Sequence, residues 1–168
     1  MSRILAPKLL ATINEAMQAD QGAAWRQLCG KLIPLAEDVY RGQEDPFRFH
    51  LGASGIGKSC ARAIWYNFRW ATKSNFDGRM LRLFNRGHLE EPRVVASLML
   101  AGCKVWATTE EGKQFKVKGH RGHFGGSMDG VLLGCPDMPE TPMLLEVKTS
   151  SDKYFKTMVA NGVESEKM

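Results

Sequence analysis

The chain has 168 residues, 43% hydrophobic and 24% charged, with a formal net charge of +5 and an isoelectric point near 9.1. That balance fits one folded domain with a single apolar core, and the positive excess favours an anionic partner only slightly. Four scattered cysteines (Cys29, Cys60, Cys103 and Cys135) include no C-x-x-C pair, which argues against a zinc ribbon and a secreted disulfide framework. The opening residues lack the apolar core and cleavage site of a signal peptide, and no apolar run approaches the ~20 residues that cross a bilayer. Reduced thiols in a cytoplasm, with no membrane partner, are the expectation.

In chain order, residues 7–42 read as helical, because "PKLLATINEAM" and "AAWRQLCGKLIPLAEDVY" space their apolar residues by three and four. Pro34 should kink or divide the second stretch. "RGQEDP", residues 41–46, is a polar joint that separates a helical N-terminal extension (1–45) from a domain over 46–168. A helix is expected over 59–73, with Ala61, Ile64, Trp65 and Phe68 facing the core and Lys58, Arg62, Tyr66, Arg69 and Lys73 forming a basic face. Trp65, Phe68 and Trp70 are read as core residues. A third helix should begin near Leu89, placing Pro92 in its first turn, and end near Gly102. Glu91, Val94, Val95 and Leu98 share one stripe of it. "CKVWATT", "QFKVKG" and "GGSMDGVLLG" then read as a three-strand meander joined by the turns "EEGK" and "HRGHF". "PMLLEVKT" is a fourth strand. His120 and His123 read as exposed turn residues or phosphate contacts.

Residues 52–59, "GASGIGKS", match the phosphate-loop pattern G-x-x-x-x-G-K-[ST] through Gly52, Gly57, Lys58 and Ser59. Such a loop needs a buried apolar strand before it and a helix after it. The preceding "DPFRFHL" contains Arg48 and His50, a poor central strand. Residues 103–134 leave no room for the crossover helices of a parallel sheet. An ATP- or GTP-binding hydrolase is therefore the alternative, not the leading reading.

The acids offer a second constellation. In an extended "MLLEVK", Glu146 and Lys148 share one face while Met143, Leu145 and Val147 share the other, facing a core. Asp129 stands in a glycine-flanked apolar strand, and Glu91 lies on the helix stripe that should face the sheet. Massed carboxylates repel, and a divalent cation offsets that repulsion. Their oxygens suit Mg2+ or Mn2+, as one or two ions. A metal-bound water and a nearby lysine then make a site suited to phosphodiester hydrolysis.

At these residues the sequence resembles the PD-(D/E)-x-K nuclease superfamily, in its YqaJ-type viral recombinase, or phage lambda exonuclease-like, branch. "MDG" with Asp129, "EVK" with Glu146 and Lys148, "RGHLEEP" with Glu91, and "ASGIGKSCARAIWY" occur in the expected order over roughly residues 50–150. The resemblance implies an α+β fold: a restriction-endonuclease-like core with a central mixed sheet of about four strands flanked by helices. It implies metal ligation by Asp129 and Glu146, assisted by the Val147 carbonyl and by Glu91, and catalysis by Lys148. Ser54, Lys58, Arg62, Arg69 and His88 become DNA-binding candidates, with "GASGIGKS" meeting a DNA phosphate at a helix entry. The implied activity is Mg2+-dependent exonuclease action on linear double-stranded DNA, in a bacterial cell or phage-infected host. A single-strand annealing protein and further copies of the chain are the implied protein partners. Met128 replaces the family's proline. Cys60 matches an early iron–sulfur ligand, but the late cysteine trio is missing, so no cluster is expected. "SSDKYFKTMVANGVESEKM" lacks the family's Q-x-x-x-Y helix, so the C-terminal helices are expected to be missing. A non-catalytic DNA-binding or assembly module is the third reading.

Overall fold

A computed structural model describes residues 6–37, 50–69, 71 and 75–162. Among these it is a mixed α+β protein with six α-helices and two sheets of three strands each. The helices are α1 (Pro7–Ala19), α2 (Ala23–Lys31), α3 (Ile33–Glu37), α4 (Ala61–Phe68), α5 (Gly78–Leu100) and α6 (Asp152–Asn161). The strands are β1 (Leu51–Gly52), β2 (Lys104–Trp106), β3 (Phe115–Gly119), β4 (Phe124–Met128), β5 (Gly130–Leu133) and β6 (Met143–Leu145). No helix among the described residues is long and apolar enough to cross a membrane.

The sheet differs from the expected single meander. β3 and β4 form an antiparallel hairpin, and β1 adds to β4 in parallel. β2 skips β3 and pairs with β5, which also pairs with β6, both antiparallel. The hairpin register ends at Phe115↔Met128 and resumes at Trp106↔Val131. Residues 107–114 thus face only 129–130, and the excess loops out through a turn closed by Thr109 N–H donating to the Lys113 carbonyl, 2.8 Å. The expected strand 125–134 is consequently broken at Asp129.

The core lies where α5 covers the β2–β5–β6 sheet. Val95, Leu98, Cys103, Leu132, Cys135 and Leu145 are its buried members, with Val94, Met143 and Val147 packed against them. The alternation expected for "MLLEVK" is present: Leu145 is buried, and Leu144 is exposed. α5 starts eleven residues before the expected Leu89, at an Asp77 cap whose carboxylate accepts from Met80 N–H at 2.7 Å. Pro92 therefore sits inside the helix, where it is buried. Its missing N–H leaves one helical bond unmade, a cost offset by burying the ring in the core.

The N-terminal helices divide as Pro34 suggested, with a break at Leu32 and Pro34 in the first turn of α3. The joint at 41–46 and the strand-like "DPFRF" lie outside the described residues. All three helices pack on α5. Trp25 Nε1 donates to Ser97 Oγ at 3.0 Å, and the Arg93 guanidinium lies over the Trp25 ring. α1 has no cap of its own at Ala6, and Asp137 supplies one from the Pro-rich loop. Its two carboxylate oxygens accept from Leu9 N–H at 2.9 Å and Lys8 N–H at 3.3 Å. Asp137→Ala is expected to destabilise the fold by about 1 kcal/mol, measured by urea unfolding. An unchanged midpoint would mean that this long-range cap contributes nothing.

Candidate functional site

Asp129 is set by the strand break. Its own N–H donates to the Leu145 carbonyl at 3.1 Å, and its Oδ2 accepts from Val147 N–H at 2.7 Å. The carboxylate is thereby fixed beside the end of β6, next to Glu146. The following residue has to be glycine. A Cβ on Gly130 would fall 2.7 Å from the Trp106 carbonyl oxygen, inside any normal contact. The backbone of the neighbouring strand therefore passes Gly130 too closely for any side chain.

Glu146 and Lys148 share a face as the alternation requires, and their side chains are ion-paired. Both are accessible, with Lys148 at 63%. Glu91 reaches the same place from α5. His88, one turn earlier, sits with Nδ1 3.0 Å from Glu91 Oε1. Burial pushes the Glu91 carboxyl above its ordinary value. The His88 hydrogen bond and charge pull it back, while the charges of Asp129 and Glu146 push it further up. The last two influences show that three acids separated widely in sequence lie within electrostatic reach of one another. The neighbouring Glu90 is held away, paired with Arg86 at 3.2 Å and Arg93 at 3.0 Å.

Among the described residues, no three His, Cys, Asp or Glu side chains are gathered into a metal-ligand set. Asp129 is engaged by Val147 N–H and Glu146 by Lys148. The acids are clustered, but they are not converged on one point.

The raised Glu91 carboxyl gives a pH signature. A carboxyl whose folded-state pKa exceeds its unfolded value ionises first in the unfolded chain, so it costs stability as pH rises past that unfolded value. The cost begins near the ordinary value of 4.5 and is complete above the raised folded value. Glu91→Gln, which can still accept from His88, is expected to raise the melting temperature at pH 7 and lose that advantage towards pH 4. Thermal unfolding in chelator at both pH values checks this, and an equal difference at both would remove Glu91 as the cause.

The DNA-contact candidates fall elsewhere. Ser54 lies in a 3-10 turn, Ala53–Gly55, directly after β1. Lys58 and Ser59 precede α4, which begins at Ala61 and ends at Phe68, shorter than the expected 59–73; Trp70 and Lys73 lie outside the described residues. Arg62 is exposed on α4, and the Arg69 guanidinium stands 5.9 Å from the Trp65 ring centroid. The expected core stripe of α4 is not buried: no α4 residue is, and Trp65 is 55% exposed. Ala61, Ile64, Trp65 and Phe68 line an open groove instead, together with His120, His123 and Phe124. The histidines are exposed, as expected, and His123 makes an edge contact with Phe68. Of the DNA-contact candidates, only His88 sits with the acids.

The triphosphate alternative requires a buried central strand running into a helix at the lysine. Among the described residues, β1 is a two-residue edge strand. A Cβ on Gly57 would meet nothing within 4 Å, so this glycine is not held by close backbone approach.

One neighbour of the acids escaped the sequence reading. A Cβ on Gly87 would lie 3.6 Å from Thr149 Oγ1, so the residue after Lys148 abuts the helix turn that carries His88. Its place in "EVKT" was the available signal. α6 was also missed, although Ser151 caps it by accepting from Tyr154 N–H. No family model, curated protein or solved structure matches the chain.

Proposed function

We propose that the protein is a metal-dependent deoxyribonuclease of the PD-(D/E)-x-K type, hydrolysing phosphodiester bonds at the ends of linear duplex DNA. One observation carries this reading. Glu91, Asp129 and Glu146 come from α5, the break between β4 and β5 and the segment just after β6, yet the charges of Asp129 and Glu146 add to burial in raising the Glu91 carboxyl, with Lys148 paired to Glu146. Mutual repulsion of this kind favours a hard divalent cation, and carboxylate oxygens suit Mg2+ or Mn2+. Asp129 and Glu146, with the Val147 carbonyl, would hold it, and Glu91 would act directly or through water. When bound, such a cation supplies a more acidic water and polarises a phosphoryl oxygen.

The chain's own residues do the remainder. Val147 N–H fixes the Asp129 carboxylate. Lys148 brings a positive charge to where negative charge grows on the phosphoryl oxygens. His88 holds Glu91 in place and presents an exposed ring to a phosphate.

Degradation of an end-labelled linear duplex in Mg2+, in Mn2+ and in chelator tests the proposal. Metal-dependent loss of DNA supports it, and intact DNA under all conditions overturns it. A second reading, a DNA-binding module with a vestigial site, is favoured by the engagement of Asp129 and Glu146 by other groups. It predicts salt-sensitive binding without cleavage.

A further inference from the structure

The groove between α4 and the turn before β4 has a volume of about 580 Å3 and opens to solvent. That is within the range of small-ligand sites. Ile56, Ile64, Trp65, Phe68, His123 and Phe124 line it, and the Phe68 and His123 rings meet edge to face. Exposing so much apolar and aromatic surface costs free energy in proportion to its area, and such patches on soluble domains mark binding sites.

The charge of the surrounding lobe identifies the occupant. Residues 50–71 and 115–128 supply β1, α4, β3 and β4, and contain none of the chain's 18 Asp and Glu. They contain Lys58, Arg62, Arg69, Lys116, Lys118 and Arg121. Among the described residues none of these six is in an ion pair. Lys58 and Arg62 flank the groove residues Ile56 and Ala61 in sequence, Arg121 lies between His120 and His123, and Arg69 stands over Trp65. An apolar aromatic slot amid unpaired cations matches a polyanion whose units carry flat apolar rings. Single-stranded nucleic acid has that chemistry: phosphates for the cations and accessible base faces for the aromatics. In a duplex the base faces are stacked and paired, and extracting one costs a few kcal/mol.

We propose that this groove seats an unpaired nucleobase, so that the strand crossing this lobe is a single-stranded tail or a frayed duplex end. The placement fits the nuclease reading, on which it rests for its direction. β4 runs four residue steps from the groove residue Phe124 to Met128, beside Asp129, about 13 Å at roughly 3.3 Å per residue. That is about four nucleotides at the 3.4 Å per-strand rise of duplex DNA. A base held in the groove would fix the register of the strand reaching the acids.

Binding without cleavage tests this separately. A labelled 12-mer of deoxythymidine would be titrated with the full chain in chelator, by fluorescence anisotropy, against a blunt duplex of equal length and a 12-mer of abasic sites. The expected result is at least tenfold tighter binding of the thymidine strand than of either comparator. Trp65→Ala should remove about tenfold in affinity for the thymidine strand and little for the abasic one, with Trp65→Phe restoring most of it. Trp65 is half exposed, so the variant is expected to fold, and its thermal unfolding confirms that. Equal binding of the thymidine and abasic strands, or an unchanged affinity in folded Trp65→Ala, overturns the groove assignment. Base-dependent binding without cleavage in Mg2+ would keep the groove and remove the nuclease. Cleavage without base dependence would do the reverse.

Discussion

Lys148→Ala is expected to cut metal-dependent degradation of an end-labelled duplex by about 10²–10³-fold, the usual effect of deleting one group that meets transition-state charge. The same variant should unfold within a few degrees of the parent. Its side chain is 63% exposed, and its pairing with Glu146 is a surface ion pair of the kind that contributes about 0–1 kcal/mol. Lys148 is a cleaner probe than Asp129. The Asp129 carboxylate accepts Val147 N–H, so Asp129→Ala loses structure and chemistry together. A rate unchanged by Lys148→Ala, with metal-dependent cleavage still present, would move the chemistry away from this strand. Freeing Glu146 from its cation should also change the response to metal. The melting temperature in Mg2+ or Mn2+ relative to chelator reports that change without any substrate, through the linkage between binding and stability.

The acids were legible because their signals are local or periodic. Alternation along residues 143–148 placed Glu146 and Lys148 together, and the three-and-four spacing of α5 turned Glu91 towards the sheet. The start of α5 was not legible. Pro92 favours a first turn, but the helix is capped well upstream at Asp77 and holds the buried proline in its interior. The sheet division was hidden for a different reason. Whether β2 continues into β3 depends on which partner residues 107–114 find, and they find only the two residues around the Asp129 break. For α4, periodicity identified the apolar face correctly but not what it meets. An apolar stripe on a core helix and one lining a solvent-facing groove have the same spacing. Only the exposure of Trp65 and the lack of acids in residues 50–71 and 115–128 separate the two.

Gly130→Ala is expected to destabilise the protein by about 1–3 kcal/mol, the cost of forcing atoms into a packed site that cannot give way. The added Cβ would sit 2.7 Å from the Trp106 oxygen and 3.3 Å from Ala107 Cα, both backbone atoms of the neighbouring strand region. No side-chain rotation can relieve those contacts, so β2 and β5 must separate. Asp129 immediately precedes this point, and its two bonds to the Leu145–Val147 segment must adjust with it. Loss of stability should therefore accompany loss of whatever the acids do, even though Gly130 itself carries no functional group. Gly57→Ala is the control. It adds the same methyl where nothing lies within 4 Å, and its stability should stay within about 0.5 kcal/mol of the parent. Urea unfolding of both variants separates the outcomes. A Gly130→Ala midpoint equal to that of Gly57→Ala would mean that the strands are not as close at Trp106 as described. It would also mean that Asp129 is held by its hydrogen bonds alone, without the backbone crowding beside it.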